Sequence, residues 1–381
     1  MAALRMHNFI NGVWRPAQSG DWFESHNPAR PSEALGLFPQ SKAADIDEAV
    51  FAANRAQEDW RALGLVKRAE YLLRVARVME EDQEPLARTI AQEAGKQINE
   101  ARADVIEAIH TAQYAFAFGH LGQYGRVLGD EVASKRCYEV LEPRGVVAAI
   151  TPWNFPVALP FWLTGLSLVL GNCVILKPSE YTPLCGTRIA GYFEKAGIPP
   201  GVFQVVHGAG ETAGAPLVAH PKTHVVLFTG SYEVGLRIKQ EVAKHANKVC
   251  TIETGGKNAV LVMEDADLGL AIEGAVWGAF GTTGQRCTAT SRIFVQDKIF
   301  SSFKKKFLDR SRRIRIGNGL KAGVEMGPLI NETQRRRVHE YVEIGKKEGA
   351  KLETGGRYAK GRGLGKGYFY EPTLFTEVGP K

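Results

Sequence analysis

The spacing of apolar positions changes character near residue 145. From Asp45 to about His120 they recur at helical intervals: Ile46, Ala49, Val50 and Ala53 share one face, and Asp45 is placed to cap the helix that carries them. Pro85 and Gly95 bracket a later helix in start-and-stop order. Upstream, Phe9-Ile10-Asn11-Gly12-Val13-Trp14 reads as a hairpin about an Asn-Gly turn. Gly119, Gly122, Gly125 and Gly129 then break the helical pattern, and residues 137–141 read as a strand. Beyond Gly145 come short, fully apolar runs at 146–150, 174–176, 203–206, 225–228 and 249–252. Helical segments near 156–170, 182–197, 211–219 and 231–245 separate them. Strands without a polar face, alternating with helices, predict a parallel sheet covered on both sides. After Gly256 a second α/β pattern follows: a strand at 258–262, helix at 267–280, strand at 292–296 and basic helix near 298–313. Residues 354–368 read as a glycine- and base-rich surface loop.

Such sheets bind ligands beyond the carboxyl ends of their strands. Four polar groups fall there: Thr151-Pro152-Trp153-Asn154, Lys177-Pro178-Ser179-Glu180, Thr229-Gly230-Ser231 and Glu253. A Gly-x-Gly-x-x-Gly run after the first strand is missing, but Gly230-Ser231-Tyr232-Glu233-Val234-Gly235 leads into a helix whose first amides suit a pyrophosphate. Lys177 and Glu180 suit ribose hydroxyls, and an acid at that place disfavours a 2′-phosphate, which favours NAD over NADP.

Composition narrows the class. The chain has 381 residues, 44% hydrophobic and 23% charged, enough for two or three globular domains. The net charge of +7 is concentrated at Lys304, Lys305, Lys306, Arg310, Arg312 and Arg313 and at Arg335, Arg336 and Arg337. Phe303, Phe307, Leu308, Val338 and Tyr341 interleave with them, which reads as solvated helix faces, and no nucleic-acid partner is expected. Five cysteines, an odd number without zinc or disulfide spacing, point to no metal site and to a reducing, cytoplasmic setting. The N-terminus lacks a signal-peptide core, and the most apolar stretch, 161–176, is interrupted by Thr164, Gly165, Ser167, Gly171 and Asn172. No membrane association is expected.

One cysteine stands apart. Cys287 lies in Gly281-Thr282-Thr283-Gly284-Gln285-Arg286-Cys287-Thr288, a setting for a loop that substrate and backbone amides approach closely. Cys173, Cys250 and Cys185 read instead as buried, inert thiols. A thiol with an ordinary pKa of ~8.5 needs activation at neutral pH. Glu253, in Glu253-Thr254-Gly255-Gly256-Lys257-Asn258, is the candidate base, directly or through one water. His207, His220, His224 and His245 lie in or beside the sheet pattern, so a cysteine–histidine dyad lacks support. Thiolate attack on a carbonyl creates an oxyanion, for which the Asn154 amide and the Cys287 backbone N–H are candidate donors. Trp153, Phe155 and Phe161 would supply apolar walls.

Pro152-Trp153-Asn154-Phe155-Pro156, Lys177-Pro178-Ser179-Glu180, Phe228-Thr229-Gly230-Ser231, Glu253-Thr254-Gly255-Gly256-Lys257-Asn258 and Gly284-Gln285-Arg286-Cys287 occur in this order. The set closely resembles the NAD(P)-dependent aldehyde dehydrogenase superfamily, from Phe9 through Pro372. The resemblance implies an aldehyde substrate, NAD or NADP as cofactor, Cys287 as nucleophile through a thiohemiacetal and a thioester, Glu253 as the base for hydrolysis and Asn154 as oxyanion donor. Thr151, Pro152, Trp153, Lys177, Ser179, Glu180, Gly230, Ser231 and Gly255 are the implied cofactor contacts. It also implies an α/β architecture: a Rossmann-like parallel-sheet cofactor domain (1–121 and 144–255), a small β oligomerisation hairpin (122–143) and an α/β catalytic domain (256–381). A homo-oligomer, dimer or tetramer, is the expected assembly if the C-terminus is completed. The Thr-Ala-Thr-Ser stretch after Cys287 is similar to the 2-oxoglutarate semialdehyde branch. Departures are Leu163 after Trp162, Leu166-Ser167 where the family has Pro-Ala, and Tyr232 for a threonine. The family's Glu-x-Phe-Gly-Pro motif lies outside these residues, so the expectation is a catalytic domain truncated at its C-terminus. That leaves an impaired fragment or a cofactor-independent thiol esterase as alternatives.

Overall fold

The computed structural model describes residues 4–122, 125–361 and 363–379. Positions 123 and 124 of the expected hairpin segment, and the final two residues, lie outside the described residues. The chain divides into two units: Met1–Ser25, Gly36–Leu86 and Ala103–Glu253 form the first, and His26–Leu35, Ala87–Arg102 and Thr254–Lys381 the second.

The first unit is built on a seven-stranded sheet in the order Val249–Thr254, Val225–Gly230, Val146–Ile150, Cys173–Lys177, Phe203–Val205, Asn8–Ile10, Val13–Arg15. The four strands from Val225–Gly230 to Phe203–Val205 run parallel, with Ile150 paired to both Phe228 and Lys177 and Leu176 to Val205. The N-terminal hairpin joins antiparallel through Phe9 and Val205. Its turn residues Asn11 and Gly12 have φ of 52° and 75°, the left-handed pair a two-residue hairpin loop requires. Every residue of Val146–Ile150 and Cys173–Lys177 is buried. Helices Ala43–Ala62 and Ala158–Val169 pack against both strands, and Pro183–Lys195 packs on Phe203–Val205. Phe161, Phe193 and Phe203 stack in series, with centroids 5.8 and 3.8 Å apart. Trp60 Nε1 donates to Leu168 O at 3.0 Å, and the buried Arg68 donates to Val169 O at 2.8 Å and Arg61 O at 2.7 Å. The guanidinium thereby meets carbonyls at a helix C-terminus, where positive charge is favoured.

Three features depart from the sequence expectations. The segment expected as one helix over 211–219 is a π turn, Gly210–Gly214, followed by the short helix Ala215–Ala219; Ala213 and Gly214 both donate to Ala209 O, at 3.0 and 3.4 Å. Strand Val249–Thr254, at the sheet edge, alternates exposed and half-buried positions, so Cys250 is half-buried, whereas Cys173 and Cys185 are buried. Strands Trp22–Asn27 and Arg30–Pro39 form a two-stranded sheet that the periodicity did not announce. The antiparallel pair Gly125–Leu128 and Cys137–Val140 leaves Val127, Leu128, Tyr138 and Val140 exposed.

In the second unit the parallel pair Asn258–Val262 and Thr290–Val295 packs with helices Leu268–Phe280 and Asp297–Arg312 around Val262, Ile272, Val276, Phe303 and Phe307. Leu329, Val342 and Tyr370 form a smaller cluster involving helix Glu332–Lys347. Part of the basic excess is paired: Arg310 bridges Glu273 and Glu325, and Lys304 meets Glu353. No helix among the described residues is long and apolar enough to cross a membrane.

His207 is buried in the first unit. Its N–H donates to Asn8 Oδ1 at 2.8 Å, its Nε2 lies 3.1 Å from Thr187 Oγ1, and its ring meets Phe38 edge-on. Burial, and then the charge of Lys177, push its pKa down to about 3. The folded protein therefore holds this ring neutral while the unfolded chain protonates it near pH 6.5. Its contribution is full above that pH and is lost as pH falls toward 3, at up to about 1.4 kcal/mol per pH unit. Urea unfolding at pH 7 and pH 5 should show His207→Gln losing up to about 2 kcal/mol less than the parent chain. Equal losses would show that His207 is not coupled to folding.

Candidate active site

The loop after strand Val146–Ile150 begins with buried Thr151, whose N–H donates to Lys177 O at 3.2 Å. Pro152, Trp153 and Asn154 follow, all half-buried. Helix Ala158–Val169 starts directly afterwards, and its Ala158 N–H is accepted by the buried Asp104 carboxylate at 2.7 Å. Asp104 thus fixes where this helix begins, and with it the length of the loop that carries Asn154.

Lys177 ends its strand with a buried ammonium. Nζ donates to Pro178 O at 2.7 Å and Gly208 O at 2.9 Å and lies 3.6 Å from Glu180 Oε2. Burial holds its pKa down, and Glu180 and then Glu211 pull it back up. Ser179 is buried and accepts the Tyr181 N–H through Oγ at 3.2 Å. Next to the end of strand Val225–Gly230, the buried Thr229 Oγ1 has no hydrogen-bond partner among the described residues. Gly230 has the Phe228 ring 2.4 Å from where a Cβ would sit, so a larger residue there would have to displace that ring. Ser231 caps helix Tyr232–Val242, accepting the Val234 N–H at 3.3 Å. An ammonium beside a carboxylate, an orphaned threonine hydroxyl and a capped helix N-terminus together match the hydroxyls and diphosphate of a dinucleotide. The structure therefore gathers Thr151, Lys177, Ser179 and Glu180 at the ends of two adjacent strands and sets Gly230 and Ser231 at the end of a third. Glu253, the last residue of the first unit, is exposed.

Gly255 and Cys287 belong to the second unit, and both are exposed. Ahead of the cysteine, Thr282 and Thr283 adopt φ of 51° and 57°, and Gly284 follows at 71°. Left-handed backbone costs an L residue roughly 1–2 kcal/mol, and a β-branched one is a true outlier there. Tethers on both sides hold the strained pair. Thr282 N–H donates to Glu100 Oε1 at 2.8 Å, Thr283 Oγ1 to Gly327 O at 3.1 Å, and Ile330 N–H to Gln285 Oε1 at 3.0 Å. Arg286 lies over the Trp277 ring at 4.0 Å and donates to Trp277 O and Gly278 O at 2.6 and 3.1 Å. Asn258 Nδ2 donates to Cys287 O at 2.7 Å. The outcome is a fixed backbone that leaves the thiol open.

Sequence reasoning passed over Asp104, Gly208, Asn258 and Glu100 as positioning groups. Asn258 closes the run Glu253-Thr254-Gly255-Gly256-Lys257-Asn258, and its amide type was the available signal. Gly208, Asp104 and Glu100 carried none, because their partners are far along the chain. A further pocket of about 440 Å³ lies in the first unit beside helix Ala158–Val169, lined by Ala103, Ile106, Glu107, His110, Thr111, Tyr114 and Trp162; Trp162 Nε1 donates to Glu107 Oε1 at 2.8 Å. Among the described residues no group of His, Cys, Asp or Glu is arranged to hold a metal ion.

Comparison with known proteins identifies the family. The model of the aldehyde dehydrogenase family matches residues 14–381. The alpha-ketoglutaric semialdehyde dehydrogenase of Bacillus subtilis (strain 168) is 40% identical over 97% of this chain and 76% of its own length. The 3-sulfolactaldehyde dehydrogenase of Pseudomonas putida is 40% identical over 98% and 76%. Among solved structures, an NAD+ complex of aldehyde dehydrogenase from Bacillus cereus superposes with a TM-score of 0.94 at 36% identity, covering 98% of this chain and 75% of that one. A betaine aldehyde dehydrogenase from Staphylococcus aureus in complex with NAD+ gives 0.95 at 31% identity, covering 99% and 74%. The chain thus spans about three quarters of the length of these relatives, with an α/β Rossmann-like fold, and it belongs to the aldehyde dehydrogenase family.

Proposed function

We propose that Cys287, Asn154 and Glu253 carry out the family reaction in this chain, the NAD(P)-dependent oxidation of an aldehyde to its carboxylic acid. The observation that carries this reading is the exposure of the Cys287 thiol on a backbone pinned by Asn258, while Cys173 and Cys185 are buried. The thiolate attacks the carbonyl carbon, a C–S bond forms and the carbonyl electron pair moves to oxygen. The Asn154 amide and the Cys287 N–H donate to that oxygen; removing one such donor costs ~3–4 kcal/mol of transition-state stabilisation. When bound, the nicotinamide supplies a hydride acceptor for the aldehyde hydrogen, and the carbon is left as a thioester on Cys287. Glu253 then takes a proton from water, the hydroxide adds to the thioester carbon, and the C–S bond breaks to release acid and thiolate. Lys177 and Glu180 would hold ribose hydroxyls, with Thr151, Pro152, Trp153, Ser179 and Gly255 flanking the cofactor and Gly230 and Ser231 at its diphosphate.

Cys287→Ala should abolish NADH formation and ester hydrolysis. Glu253→Gln should slow deacylation about a hundredfold or more, within the range of general-base contributions. Mass spectrometry of the quenched Gln variant should then find acyl-enzyme on Cys287. Unchanged steady-state turnover in that variant would remove Glu253 from the role of base.

The preferred substrate in this reading is an aldehyde carrying a second, anionic group. Relatives named for alpha-ketoglutaric semialdehyde, 3-sulfolactaldehyde and malonate-semialdehyde support it, since each name denotes an acid-bearing aldehyde. NAD is the preferred cofactor, because the Glu180 carboxylate beside Lys177 repels a 2′-phosphate. A panel of neutral and anionic aldehydes, each with NAD and NADP, should give the highest kcat/KM for an anionic aldehyde with NAD. Equal values across the panel would sink both preferences.

The chain also assembles as a homo-oligomer in this reading. The exposed Val127, Leu128, Tyr138 and Val140 on one hairpin support it, being apolar groups that a second copy would cover. Tyr138→Asp should shift sedimentation toward monomer. A parent chain that is already monomeric at micromolar concentration would overturn the assignment.

A further inference from the structure

We infer that Glu100, in the first turn of helix Ile98–Leu121, is a positioning residue for the nucleophile loop: it accepts the Thr282 N–H and thereby holds the left-handed Thr282-Thr283 pair from which Cys287 is presented. This inference rests on the reading of Cys287 as nucleophile. The contact is made across 182 residues at 2.8 Å, to the backbone of a residue in a conformation that threonine avoids. The carboxylate is itself fixed. Gln97 Oε1 accepts the Asn99 and Glu100 N–H groups at 2.7 and 3.2 Å and so sets the start of the helix. Gly281 leaves room for both Glu100 and Arg286: a Cβ there would lie 3.1 Å from Glu100 Oε1 and 3.0 Å from Arg286 Nη2. Burial pushes the Glu100 carboxyl up, opposed by the Thr282 N–H and then by Lys96 and Arg286, as for a carboxylate kept out of water for its hydrogen bond.

Strained backbone persists only where its surroundings over-determine it. Without an acceptor at Glu100, the pair loses the tether on its N-terminal side, keeping Thr283 Oγ1 to Gly327 O and the Gln285 anchor on the other. Relaxation of Thr282 toward negative φ would then move the backbone five residues before the thiol. Displacements of about 1 Å at a reacting group cost up to about a hundredfold in rate.

The test compares Glu100→Ala, Glu100→Gln and Glu100→Ala with Thr282→Gly. Two readouts are used: the rate of Cys287 alkylation by iodoacetamide, followed by peptide mass spectrometry, and kcat and KM for aldehyde oxidation. Glu100→Ala should slow alkylation and lower kcat by about tenfold or more, with KM within about twofold. Glu100→Gln keeps an acceptor oxygen and should recover both to within about threefold. Thr282→Gly allows positive φ without a Cβ and should restore reactivity to the Ala variant, or restore its folding if the single variant does not fold. Unchanged Cys287 alkylation and kcat in folded Glu100→Ala would overturn the proposal, as would failure of both Gln and the double variant to recover them. A Cys287→Ala control separates the two ideas. If that control still oxidises aldehyde, the nucleophile assignment falls, whereas the alkylation rates still judge Glu100.

Discussion

Two-sided burial of the central parallel strands is the constraint on which the first unit depends. With every residue of Val146–Ile150 and Cys173–Lys177 enclosed, no polar group can be placed along them without desolvation. Polar chemistry is driven to the strand ends, and the register decides which ends coincide. Ile150 pairs with both Lys177 and Phe228, so the turns carrying Asn154, Lys177 and Thr229 begin at one level. The placing of these proposed cofactor contacts follows from the pairing of apolar residues several positions away.

The same reasoning explains what could be read from the chain. Strands 146–150 and 173–177 announce themselves because both faces are apolar, and polar residues gather at the ends of such strands. Cys287 was conspicuous because glycine and threonine surround it within eight residues. The edge strand Val249–Thr254 read as core from its apolar runs, yet its position leaves alternate residues exposed and Cys250 half-buried. The π turn Gly210–Gly214 had no periodic signature, since two amides sharing one carbonyl is a matter of local geometry rather than of residue type. Glu100 was invisible because its importance lies in a partner 182 positions away, and the left-handed threonines contradict the propensity by which such turns are recognised.

The two halves of the chemistry are prepared differently. The cluster of Lys177, Ser179 and Glu180, which we propose holds ribose hydroxyls, lies at a strand end, where burial enforces geometry. The cysteine sits on an irregular segment kept in place by individual hydrogen bonds to Glu100, Gly327, Ile330 and Asn258. A strand end is held by the pairing of the whole sheet. A loop held by four separate contacts distributes its strain among them, so each tether matters more than its modest individual strength suggests.

Lys177 shows what the strand-end arrangement means for recognition. Its ammonium donates to the carbonyls of Pro178 and Gly208 within the fold itself. The side-chain entropy that a free lysine would surrender on binding, roughly 1.5–2 kcal/mol, has already been lost on folding. In the proposed role, an incoming dinucleotide would meet a donor already held in place. The amine cannot swing to follow a ligand of another shape, which makes selectivity in this corner a property of stiffness as much as of charge.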